Sequence, residues 1–282
     1  MRYSTQTKQT DPIDLTDSQK SNRSFFEEVA KRASRREREC ALLFVGGNTA
    51  GDHAIRRAQA PLRFDGLDTF WSHVALVLEW PGDAAQAKGV EVTPEPLDPR
   101  LQVPERNAVT PFSLERYFDA GRYRNVAYAT FRLDEQERPR RGSAPKPKLE
   151  AVSRRERFRT AALDPNRERV RYPLHQWLAP WLAFRAAPTS VPNPLQQGVP
   201  YPSAAFCEYA FAAAQVDVTP GATAANTCPE TLWSTLRWWT KPLAETGVHL
   251  RVWLSLRDPK CDSRPTYPTP LRLDGGDAPR GG

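Results

Sequence analysis

The stretch SHVALVLEW, residues 72–80, commits part of this chain to a sheet. Its side chains alternate: Val74, Leu76, Leu78 and Trp80 fall on one face, His73, Ala75, Val77 and Glu79 on the other. Further short runs, CALLFVG, GVEVTP, NVAYATFRL and VHLRVWLSL, read as strands of the same kind. Helical patterns separate them. Ser24 with Glu27 and Glu28 predicts a capped helix reaching about Glu39. GDHAIRRAQA predicts a short helix, and TPFSLERYFDAG one capped by Thr110 or Ser113 and stopped at Gly121. PLHQWLAPWLAF, PSAAFCEYAFAAAQV and CPETLWSTLRWW predict three more. Helices and strands mix without βαβ alternation, which gives an α+β class with an antiparallel sheet packed against helices.

The 282 residues can bury a sizeable core. Twenty-seven prolines, roughly twice ordinary usage, predict long irregular connections. Residues 1–22 are polar and unpatterned and are expected to be a disordered tail, with the domain over 23–257 and a flexible tail over 258–282. No apolar run approaches the ~18 residues of a membrane helix, and no apolar stretch of a signal peptide opens the chain. The expected location is therefore the cytoplasm, or outside it by a route without a cleavable signal. Cys40, Cys207, Cys228 and Cys261 lack CxxC spacing, so neither a zinc site nor a disulfide framework is expected. No cofactor or metal is implied.

The net charge of +7 is concentrated. Residues 138–171 hold twelve Lys/Arg against Glu150, Glu156, Asp164 and Glu168. A basic insertion over about 134–171, mostly exposed, is expected, either as a solvated loop or as a contact surface for an anionic partner. With Phe158 alone available for stacking, nucleic acid is disfavoured.

The chemistry-bearing types are a cysteine expected at a helix start, Cys207, a histidine opening a strand, His73, and a carboxylate on the next short strand, Glu91. A thiol at a helix start has its pKa lowered; it needs a base, and the base needs an orienting group. Glu95 rivals Glu91 for that third role. Cys207 also suits plain packing, since Cys207, Ala210, Phe211 and Ala214 share a helix face. Cys207 with His249, and Cys40 with His73, are weaker pairings; His53 and His175 complete the histidines.

SHVALVLEW, GVEVTPEPL, PFSLERYF and PSAAFCEYAFAAAQV…TPG…CPETLW together resemble the permuted papain-like amidases of the YaeF/YiiX branch, within the NlpC-like thiol hydrolase superfamily. The resemblance covers Cys40 to about Leu256. It implies a circularly permuted papain-like fold, with Cys207 as nucleophile, His73 as general base and acid, and Glu91 orienting His73. Two departures stand out: Glu208 follows Cys207 where the family has serine, and Ala75 stands where glycine is usual. The implied function is cleavage of an amide or peptide bond through a thioester acyl-enzyme, on a peptide- or amide-containing substrate, with an anionic substrate left open. Two alternatives stay open: an acyltransferase on lipids or amines using the same Cys–His site, and a non-catalytic binding module using the basic insertion.

Overall fold

The computed structural model describes residues 10–12, 21–63, 66–95, 106–133, 152–164, 166, 169, 171–220, 222, 224–238, 243–244 and 248–257. Seven strands form one sheet: β1 (Thr10–Pro12), β2 (Ala41–Gly47), β3 (His73–Glu79), β4 (Lys88–Glu91), β5 (Thr110–Ser113), β6 (Tyr123–Arg132) and β7 (His249–Leu256). Their order is β1-β7-β6-β2-β3-β4-β5. β1 pairs parallel with β7, and the other six strands form an antiparallel sheet. With the helices this is an α+β architecture.

The helices are α1 (Arg23–Arg32), α2 (Arg35–Arg38), α3 (Ala50–Ala58), α4 (Arg154–Leu163), α5 (Leu174–Ala186), α6 (Pro202–Ala213) and α7 (Pro229–Trp238). The period-two pattern sorts them into layers. Leu42, Phe44, Val74, Leu76, Leu78, Ala127 and Ala129 point into a core completed by α3 to α7. Leu43, Val45, Ala75, Val77, Val126 and Tyr128 point the other way, onto Phe25, Phe26 and Val29 of α1 and onto Tyr117. Each face of the central strands thus has an apolar cover, which explains why they are buried nearly throughout.

Four expectations need correcting. The first charged helix breaks: α1 ends at Arg32, and a fresh capping box between Ser34 and Glu37 starts α2. The segment around PFSLERYF is no single helix but β5 followed by a 3-10 turn over Leu114–Tyr117, because its pairing with β4 overrides helix propensity. Asn22, placed at the end of a disordered tail, is wholly buried; its side-chain amide donates to Tyr117 O (3.0 Å) and Tyr123 O (2.8 Å). The rest of that tail, β1 apart, and the C-terminal tail lie outside the described residues, as does 134–151 of the basic insertion.

The described end of the insertion is not an excursion. Helix α4 buries Phe158, Ala161 and Ala162, and Phe158 packs edge-on against Phe211 of α6 at 4.8 Å. Its arginines are used structurally: Arg155 pairs with Glu39, and Arg159 donates to Leu78 O (2.9 Å) and Glu79 (3.2 Å).

Candidate functional site

The strand register builds the centre of the site. Leu76 pairs with Val90 across β3 and β4, so continuing the register sets Glu91 opposite Ala75, with His73 one diagonal away on the same face. The small Ala75 side chain leaves that diagonal open. His73 Nε2–H donates to Glu91 Oε2 at 2.7 Å, and Glu91 is wholly buried. A carboxylate only accepts, so Nε2 bears the hydrogen of this bond, and in the neutral ring the lone pair is on Nδ1. Nδ1 is itself buried and has no hydrogen-bond partner. An imidazole fixed by a carboxylate on one nitrogen, with the other bare, has the form of an oriented base.

Three donors converge on Glu91. Besides His73, the Arg116 guanidinium donates to Oε1 at 2.6 Å, and the Tyr117 hydroxyl donates to Oε2. Burial pushes the Glu91 carboxyl up, but the hydrogen bond and charge of His73, the charge of Arg116 and the Tyr117 hydroxyl outweigh it and hold the group below its ordinary value. Burial, and then the Glu91 charge, push Tyr117 well above the usual phenol range, so its hydroxyl stays a donor. Tyr117 also stacks on the His73 ring, with centroids 6.4 Å apart.

Glu95, the rival third residue, sits one step back. Its Oε2 accepts from Arg116 (2.8 Å) and Arg122 (2.9 Å), and Arg185 stands 3.5 Å from Oε1. Glu95 therefore holds Arg116 behind Glu91 and does not hydrogen-bond the histidine. Arg185 also donates to Pro94 O (3.1 Å) and Thr49 Oγ1 (3.3 Å) and stands 3.9 Å from Asp52. Arg116, Arg122 and Arg185 thus face Glu91, Glu95 and Asp52, a balanced set. Arg159 of the basic segment lies at Leu78 and Glu79, six residues along β3 and so about 20 Å from His73.

A small cleft opens over His73, lined also by Ser72, Thr93, Glu95, Tyr117, Tyr123 and Tyr201. Tyr123 and Tyr117 come from one layer of the fold and Tyr201 from the other. The cleft is therefore at the end of the sheet, where the strands no longer separate the layers. Two glycines permit this end to close. A Cβ on Gly46 would lie 2.1 Å from Phe70 O, and one on Gly47 2.1 Å from Asp52 Oδ2, the carboxylate that caps α3 through Thr49.

Cys207 is not in this cleft. Proline at the first helical position starts α6 at Pro202, so Cys207 is its sixth residue rather than its first. Six residues at ~1.5 Å rise put it about 9 Å along the axis from Tyr201, whose hydroxyl donates to Ser72 O at 2.8 Å. At that depth it belongs to the core over Val74, Leu76 and Leu78, while His73 projects from the opposite sheet face. Cys207 is completely buried, and burial alone pushes its thiol well above the ordinary range. That is the behaviour of a packed, inert thiol. Cys228, also buried, is pushed up to about 12 by burial.

Sequence reasoning passed over Ser203. It is the second residue of α6, wholly buried, and its hydroxyl has no hydrogen-bond partner. It shares a helix face with Cys207 one turn before it. Pro202 was the signal that sets this register.

Of the other histidines, His175 Nδ1 bonds Asn107 Oδ1 (2.9 Å) and His53 Nε2 bonds Asn48 Oδ1 (3.2 Å), both away from Glu91. His249 opens β7 rather than lying within it. Among the described residues no helix is long and apolar enough to cross a membrane, and no group of three or more His, Cys, Asp or Glu side chains is set to hold a metal ion. Comparison with known proteins finds no matching family model, curated protein or solved structure.

Proposed function

We propose that this protein is a hydrolase of acyl bonds, amide or peptide, built on a permuted papain-like plan with His73 as general base and acid and Glu91 as its orienting carboxylate. The observation that carries this is the buried His73 ring, bonded through Nε2 to an ionised, threefold-bonded Glu91 and left bare at Nδ1. Burying an ionised carboxylate is costly unless it is fully paired, and such an arrangement is what base catalysis uses. The head of α6 lies beside the same cleft, where Tyr201 bonds Ser72 O, and the unpaired N–H groups of a helix start are donors for a developing oxyanion. The expected nucleophile, Cys207, has no place in this reading, because it sits a turn and a half deeper in the core. The hydrolase class and the base are kept, and the nucleophile is sought at the helix head.

The test is turnover of a panel of fluorogenic peptide amides and aryl esters by the full chain. His73→Gln should lower turnover about a thousandfold, Glu91→Gln less, and His175→Ala and His249→Ala should leave it within about twofold. Equal rates for wild type and His73→Gln would refute the assignment. A second reading, a binding module that keeps the fold without turnover, is favoured by the distance of the Cys207 thiol from the cleft. It would stand if no member of the panel is turned over at all.

A further inference from the structure

We propose that Ser203 is the nucleophile of this site, which makes the protein a serine rather than a cysteine hydrolase; this rests on the His73–Glu91 reading above. Four observations support it. The Tyr201 hydroxyl ties the head of α6 to Ser72 O at 2.8 Å, directly beside His73. Ser203, two residues on, has a wholly buried hydroxyl without a partner. His73 Nδ1 is buried without a partner on the adjoining strand end. Tyr201 and His73 line the same cleft.

A buried hydroxyl left unsatisfied costs on the order of 1–3 kcal/mol, and alanine would serve packing better on this face. Ser203, Cys207, Ala210 and Ala214 form a row of small, fully buried residues, and the serine alone is polar. Its position differs from that of Cys207 in the respect that matters. Cys207 lies over the body of β3, where the sheet intervenes, whereas Ser203 stands at the head of α6, two residues from Tyr201, which lines the cleft. The first hydrogen bond of the α6 ladder runs from Ala205 N–H to Tyr201 O at 3.0 Å. The N–H groups of Ser203 and Ala204 precede it and are free of the ladder, so they can receive an oxyanion.

The chemistry balances with water as the only co-reactant. As Ser203 Oγ forms a bond to the acyl carbon, its proton passes to His73 Nδ1. The carbon–nitrogen bond of the substrate then breaks, and the departing amine takes that proton. Water attacks the resulting serine ester, giving its proton to Nδ1. Cleavage of the ester returns the proton to Ser203 Oγ and releases the carboxylic acid.

The experiment treats the full chain with a fluorescent alkyl fluorophosphonate and locates the adduct by peptide mass spectrometry. The adduct is expected on Ser203, with its rate reduced about 100-fold or more by His73→Gln and unchanged by Cys207→Ala. Ser203→Ala should fold, because it removes an unpaired hydroxyl and little volume, and should lose both adduct and turnover. Ser203→Cys supplies an independent readout. Its new thiol should react with iodoacetamide near neutral pH at least tenfold faster than Cys207 in the same molecule, and lose that advantage when His73→Gln is added. Turnover that survives in Ser203→Ala but still depends on His73 would overturn the nucleophile and leave the base standing. Thiol and hydroxyl reactivity at position 203 that ignores His73→Gln would overturn both. Absence of any adduct on the wild-type chain, or an adduct elsewhere, also ends the proposal.

Discussion

Glu91→Gln measures how much of the fold depends on one buried charge. The side chain is wholly buried and accepts from His73 (2.7 Å), Arg116 (2.6 Å) and Tyr117. Glutamine keeps the shape but has one acceptor oxygen, and its amide must turn donors toward a donor. At least two charge-assisted bonds are lost, each contributing about 1.5–3 kcal/mol. Arg116 keeps Glu95 at 2.8 Å, which limits the damage. The expected cost is about 3 kcal/mol at pH 7. The sign with pH follows from the lowered pKa of Glu91. The unfolded chain takes up the proton near the ordinary value of ~4.3, and the folded protein takes it up only at lower pH. The contribution is therefore full above about pH 5 and is lost as pH falls toward the folded value. Glu37, also lowered but common to both proteins, cancels in the difference. Urea titrations followed by the fluorescence of buried Trp71, Trp80, Trp181 and Trp253 would read the effect. With a slope of about 2 kcal/mol/M the midpoint shifts by about 1.5 M at pH 7. The gap between the proteins should narrow at pH 4. A gap below about 1 kcal/mol at pH 7, or one that widens in acid, would refute the reasoning.

Three further outcomes are expected. Phe158→Ala should cost about 3–5 kcal/mol in urea titration, because its ring is wholly buried against Phe211; a loss under 1 kcal/mol would return α4 to the status of a loose insertion. Iodoacetamide should reach Cys207 only as the protein unfolds, since burial holds the thiol protonated, so its alkylation should track the urea transition. Rapid native-state alkylation at pH 7 would restore Cys207 as a nucleophile. Gly47→Ala should lower thermal stability by about 1–3 kcal/mol, because its Cβ would lie 2.1 Å from the carboxylate that caps α3. Gly82→Ala, where the nearest atom is 3.6 Å away, is the control and should be close to neutral.

Period-two patterning made the central strands legible, because apolar residues on both faces of β2, β3 and β6 leave few alternatives to a buried strand. The His73–Glu91 pair was legible for the same reason: register and alternation put both on one face, and strands have little freedom to move them. Where pairing partners decide, the sequence misleads. Residues Thr110–Ser113 carry helix caps, yet they lie as a strand because Glu91, Val90, Gly89 and Lys88 offer them a ladder. The arginines of α4 read as a solvated run, since nothing local announces that Phe158 and Ala162 fill a gap beside Phe211 or that Glu39 and Glu79 await the charges.

The helix head is the instructive error, because the information was present. Alanine-rich apolar spacing fixes that a helix exists but not where it starts, since every residue from Pro202 to Cys207 tolerates burial. Tyr201 supplies no side-chain cap to mark the boundary. Proline does mark it: its fixed φ and missing N–H suit the first helical position and are costly four residues into a helix. Starting the helix at Cys207 would leave Pro202 to Phe206 as a loop of small, apolar residues whose backbone polar groups, buried as they are, would lack partners. Reading the start at Pro202 removes that difficulty and moves the helix head by more than a turn. The thiol then falls within the packed core, and Ser203 stands at the head beside Tyr201, whose hydroxyl bonds Ser72 O next to His73.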